Sequence, residues 1–147
     1  MAKEFSRMSL KGSILSLAIA SALALASGLI LARCVTPAMA SERVLAFDQA
    51  AFEAAQKAQK PILVHITAPW CPDCRAQNAI LARLFTDPKF QDLVTFNIDF
   101  DSQKAIVRRF GATVQSTLIV FKGSKEEGRS TGETKADQIE ALLDKVV

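Results

Sequence analysis

The sequence predicts an α/β domain, a central mixed β-sheet flanked by helices on both faces. Three observations point there. Short apolar runs rich in β-branched residues alternate with longer amphipathic stretches between about residues 44 and 121. A Gly-containing turn, Lys122-Gly123-Ser124-Lys125, then separates two strand-like runs. A last amphipathic stretch closes the chain. In order, residues 44–47 suit a short strand. Asp48 suits the N-cap of a helix running to about Gln59, with Ala51, Phe52, Ala55 and Ala58 as its apolar stripe. Lys60-Pro61 ends that helix. Residues 62–66, Ile-Leu-Val-His-Ile, are short and nearly all apolar, as a strand buried on both faces must be.

Ala68-Pro69-Trp70 breaks the chain, and a helix is expected from about Cys71 to Phe85. Its apolar positions Ile80, Leu81, Leu84 and Phe85 recur at three and four. Residues 94–99 read as a strand, and Ser102 as the cap of a short helix that ends at Phe110-Gly111. Residues 117–121 form a further strand, and 128–131 the returning edge strand of a hairpin. Thr134 is expected to cap a final helix whose inner face is Ile139, Leu142, Leu143 and Val146. The order is βαβαβαββα.

Composition narrows the class of function. The chain has 147 residues, 50% of them hydrophobic, which excludes a disordered chain and allows one domain of ordinary size. Three Cys cannot staple a small disulfide scaffold, and one His with three Cys makes a conventional structural zinc site hard to assemble. The formal charge of +3 is too small to argue for nucleic acid. It also belongs entirely to residues 1–40, which hold four Lys or Arg and one acid.

That first segment reads as a targeting signal. Lys3, Arg7 and Lys11 precede an uncharged stretch from Gly12 to Ala32, and Ala38 and Ala40 stand at the −3 and −1 positions of a cleavage site. Residues 1–40 are therefore expected to be a secretory signal peptide, with an uncleaved membrane anchor as the alternative. Residues 41–147 form the domain. Cys34 leaves with the peptide if cleavage follows Ala40. Export to a bacterial periplasm is expected, a compartment where disulfides form and persist.

The chemistry is carried by Cys71-Pro72-Asp73-Cys74, at the junction of the central strand and a helix. Two Cys at this spacing can close a small disulfide ring. A Cys at a helix N-terminus gains thiolate character from the unpaired N–H groups and the macrodipole. Cys71 is thus the expected nucleophile, and Cys74, one turn in, the expected resolving thiol. Half of a zinc site is the competing reading of the pair.

Residues 64–74, Val-His-Ile-Thr-Ala-Pro-Trp-Cys-Pro-Asp-Cys, resemble the active-site motif of the thioredoxin superfamily. Asn97-Ile98-Asp99, Phe110-Gly111 and residues 117–123 resemble further blocks of it. Lys60-Pro61 and residues 87–90 resemble the thioredoxin-like domains of periplasmic thiol–disulfide interchange proteins. The resemblance runs from about Ala46 to Val147. It implies a thioredoxin fold and a dithiol–disulfide oxidoreductase acting on protein thiols and disulfides. It implies no organic cofactor, and a membrane thiol–disulfide partner that resets the Cys pair.

The sequence departs from that family at Ser116, where a cis-proline is usual before the Thr of the last central strand. A cis bond before a non-proline costs about 2.5–4 kcal/mol, so Gln115–Ser116 is expected to be trans. The loop of Gln115 and Ser116 would then present its backbone differently to a substrate chain. Losing that proline also keeps open a binding module that holds a metal, an iron–sulfur centre or a protein partner through Cys71 and Cys74. His65 stands where the family often has a buried Asp. An imidazole there suits proton transfer, or thiolate stabilisation if charged, or simply fills the core. Thr95 replaces a Lys often found near that acid. Trp70 is expected both to pack and to flank the substrate surface.

Overall fold

A computed structural model describes residues 44–147. The signal-peptide reading, its cleavage site and Cys34 lie outside these residues. The described chain forms β1 (Val44–Ala46), α1 (Gln49–Lys57), β2 (Pro61–Thr67), α2 (Pro72–Leu84), β3 (Val94–Asp99), α3 (Lys104–Arg109), β4 (Thr117–Lys122), β5 (Lys125–Thr131) and α4 (Ala136–Leu143). The five strands make one sheet in the order β1-β3-β2-β4-β5. β1 and β2 run parallel to β3, while β4 is antiparallel to β2 and to β5. The mixed sheet is the one expected.

β2 is central, and every residue from Pro61 to Ile66 is buried. Its side chains alternate between two cores, as strand geometry requires. Ile62, Val64 and Ile66 join Phe96, Ile98, Ile119 and Phe121 beneath Phe52 of α1 and Val107 of α3. Leu63 joins Leu118 and Val120 beneath Ile80 and Leu81 of α2 and Ile139, Leu142 and Leu143 of α4. Helices therefore cover both faces. Phe52 is the hub of the first core, with ring centroids 5.7 Å from Phe47, 5.6 Å from Phe96, 5.4 Å from Phe110 and 5.7 Å from Phe121.

Several local expectations are corrected. Ser102 does not cap α3. Its N–H and hydroxyl both donate to Asp99 Oδ1, at 2.7 Å and 2.5 Å, and the N-cap is Gln103 without a side-chain bond. Thr134 does not cap α4, whose N-cap is Lys135. The Glu133 carboxylate accepts from the N–H groups of Thr134 and Lys135 instead, at 2.9 Å and 2.8 Å. In both places the helix starts one residue later than read, and the nearby carboxylate binds N–H groups that precede the first helical residue. α1 ends at Lys57, and Gln59 turns left-handed with φ 54°. Pro61 opens β2 rather than standing outside it, which an edge-free first position of a strand allows. β5 begins at Lys125, three residues earlier than read, because Lys125 pairs with Lys122 across the two-residue turn Gly123-Ser124, and the register shifts only further on, at Val120/Phe121. A 3-10 turn at Pro88–Phe90, capped by Asp87, was not foreseen.

Candidate active site

β2 delivers the chain to the Cys pair. The Cys71 N–H donates to the Ala68 carbonyl at 3.1 Å, closing the Ala68-Pro69-Trp70 turn. Cys71 is the N-cap of α2, with extended backbone (φ −79°, ψ 117°) and Pro72 in the first turn. Its Sγ accepts the N–H of Cys74 at 3.0 Å, taking one of the donors a helix start leaves free. Asp73 adds a carboxylate to the same turn, where the helix dipole favours it. Cys71 and Cys74 are joined as a disulfide, with Cα atoms 5.3 Å apart. Each residue is 1% exposed, so exposure does not distinguish them, whereas position on the helix does. Ala68 and Phe100 pack against the pair.

Trp70 stands at the surface, 56% exposed. Its indole N–H donates to Asp101 Oδ2 at 2.7 Å, a partner the sequence did not announce. Asp101→Ala is expected to cost about 1 kcal/mol of stability and to speed the depolarisation of Trp70 fluorescence. Trp70 is the one Trp of the chain, so the signal is unambiguous. Unchanged anisotropy would mean that packing, not Asp101, holds the indole.

His65 is 1% exposed. Its Nε2 lies 3.0 Å from Gln77 Oε1. Gln77 Nε2 donates to the Ser116 carbonyl at 3.0 Å and the Glu133 carbonyl at 2.9 Å. Both amide hydrogens are thus spent, so Oε1 must accept and His65 Nε2 must carry the ring proton. Burial pushes the His65 pKa down to about 4, with the Gln77 hydrogen bond opposing the shift. The ring is neutral at pH 7, so a charged imidazole supporting a thiolate is not available there. No hydrogen bond joins it to either cysteine.

Thr95 is buried beside it, and Thr95 Oγ1 and Asn97 Oδ1 have no hydrogen-bond partner. These two residues and His65 line a cavity of about 90 Å³. Val44, Leu81, Ala82 and Phe85 make much of its lining apolar, and it has room for water beside the polar groups. The position that the resemblance assigns to a Lys is therefore neutral, and no charge pair forms under the site.

Gln115 is half-buried, and Ser116 is 5% exposed with φ 54°, in the left-handed region. Among the described residues no peptide bond is cis, so Gln115–Ser116 is trans as expected. The Ser116 hydroxyl donates back to the Gln115 carbonyl at 2.7 Å. The structure thus brings Cys71, Cys74 and Trp70 together on one turn. It links His65 to Ser116 only through Gln77, which sequence reading missed. The available signal was a polar residue inside the apolar stripe Cys74, Gln77, Ile80, Leu81 of α2.

A Cys-x-x-Cys disulfide at a helix N-terminus, just beyond the central strand of such a sheet, defines a class: the dithiol–disulfide oxidoreductases. Residues 43–145 match the family described as Thioredoxin, and the chain belongs to that family. Thioredoxin H-type of Brassica campestris is 32% identical over 91 residues, 62% of this chain and 72% of that protein. The thioredoxin of Alicyclobacillus acidocaldarius is 28% identical over 99 residues, 67% of this chain and 93% of that one. Among solved structures, Trxlp from Edwardsiella tarda EIB202 superposes with a TM-score of 0.66 at 40% identity, covering 68% of this chain and 97% of that one. Thioredoxin NaTrxh from Nicotiana alata gives a TM-score of 0.63 at 27% identity, covering 71% and 93%. The chain is a thiol–disulfide oxidoreductase.

Proposed function

We propose that the domain is exported from the cytoplasm and exchanges disulfides with protein substrates through Cys71 and Cys74. The observation that carries the chemistry is the Cys71 Sγ at the N-cap of α2, accepting the Cys74 N–H and bonded to the Cys74 sulfur. In the reducing direction the Cys71 thiolate attacks a substrate disulfide. A Cys71–substrate disulfide forms and one substrate thiolate leaves. Cys74 then attacks Cys71 Sγ, releasing the second thiolate and closing Cys71–Cys74. Two electrons pass to the substrate, and a membrane thiol–disulfide partner returns them to the pair. The oxidising direction is the reverse. Trp70, Gln115 and Ser116 form the surface met by the substrate, and the neutral His65 supports the site from below.

Export rests on the basic, apolar and Ala-Met-Ala pattern of residues 1–40. Cell fractionation and intact-mass measurement test it. The expected product is an extracytoplasmic chain beginning at Ser41, and a cytosolic chain that retains residues 1–40 would overturn this part. The reduction potential of the pair sets direction. A value near about −270 mV marks a reductant and one near about −120 mV an oxidant.

A further inference from the structure

Gln77 is wholly buried, one turn beyond Cys74 on α2, and is the polar member of that helix's buried stripe. Its amide meets three separate elements. Oε1 accepts from His65 of β2, and Nε2 donates to Ser116, before β4, and to Glu133, between β5 and α4. Both of those loops border the Cys pair. Thr117, the first residue of β4, pairs with Ile66 at the end of β2 that leads into the Cys turn. Gly132 lies beside the pair too, since a Cβ built on it would sit 4.0 Å from Asp73 Oδ2. Trp70 and Val114, two of the exposed large apolar side chains, flank this same end.

We propose that Gln77 is a positioning residue for exchange with polypeptide substrates, holding both loops in the shape a substrate chain docks against. The inference rests on the reading that proteins are the substrates. The clamp answers a specific need. Ser116 has φ 54°, a conformation that disfavours any residue with a Cβ. Its carbonyl accepts the Gly132 N–H at 2.9 Å as well as the Gln77 amide, so both lone pairs are used. Without the amide, Ser116 relaxes toward extended backbone and the loop loses its fixed surface. The loss falls on docking a chain, and not on breaking and making S–S bonds at Cys71.

The test compares reduction of insulin with reduction of hydroxyethyl disulfide by the full folded domain. Gln77→Met keeps length and volume but removes the amide. It should raise KM for insulin about tenfold, the worth of one hydrogen bond to preorganisation, and leave kcat unchanged. Its rate with hydroxyethyl disulfide should match the wild type, which also certifies folded protein. Adding Ser116→Gly, which relieves the left-handed residue, should recover much of the lost KM. Gln77→Asn keeps the amide on a side chain one methylene shorter and should fall between, which serves if Gln77→Met does not fold. An unchanged KM, or equal losses with both disulfides, would overturn the proposal. A wild type without Cys71-dependent insulin reduction would instead overturn the protein-substrate reading.

Discussion

Cys71→Ser is expected to abolish disulfide exchange, by on the order of 10³-fold or more. Cys74→Ser should instead halt the protein as a covalent mixed disulfide with its substrate. The asymmetry follows from the helix start. Once the disulfide opens, Cys71 Sγ keeps the Cys74 N–H at 3.0 Å and the positive end of α2, both of which favour a thiolate. Cys74 lies one turn inside and contributes by attacking the bond that Cys71 has formed. Serine at 71 has no comparable nucleophile, since a hydroxyl is hardly ionised near neutral pH. Serine at 74 leaves the first step intact and removes the second. Non-reducing electrophoresis with a disulfide-bonded protein reads both outcomes. A stable adduct with Cys71→Ser, and none with Cys74→Ser, would reverse the two roles.

The second large effect is on stability in acid. Burial lowers the His65 pKa from its ordinary 6.5 to about 4 in the folded protein. Below 6.5 the unfolded chain therefore binds a proton that the folded protein refuses, and stability falls as pH drops. The loss is complete below about 4 and comes to about 3 kcal/mol. The window lies between those two values because burial lowers the pKa. Urea unfolding at pH 7, 5.5 and 4 measures it. His65→Leu should be less stable at pH 7, because it leaves Gln77 Oε1 unpaired, but should lack this part of the acid slope. Equal slopes for both proteins would show that the ring is not held neutral. Asp99 acts later. The Ser102 hydroxyl and N–H hold its carboxyl below the usual 3.8, so its contribution is lost only at more acidic pH.

The sheet and the Cys turn were legible because their signals are local. Residues 62–66 declare a doubly buried strand by composition, and Cys71-Pro72-Asp73-Cys74 declares a helix start by spacing. What stayed hidden depends on contacts distant in sequence or on competition between neighbours. Gln77 meets Ser116 and Glu133, 39 and 56 residues away, and nothing near residue 77 names them. Ser102 and Thr134 look like caps by residue type, but α3 and α4 start one residue later, past turns that Asp99 and Glu133 fasten. At Ser116 the absence of proline foretold a trans bond but not a left-handed turn, which Gln77 and Gly132 impose from outside.

The sheet's two margins have a consequence for solubility. β1 offers three residues, too short to template another strand. β5 is longer but carries Lys125, Glu126, Glu127 and Arg129, paired as Lys125–Glu127 at 2.9 Å and Arg129–Glu126 at 2.6 Å. Charge and brevity are the devices by which exposed strands resist edge-to-edge aggregation. With polypeptides as the proposed substrates, extended chains are what the protein would meet at work. Its margins resist strand addition, so a substrate chain, as proposed, is left the loop end around Trp70 and Val114 as its landing surface.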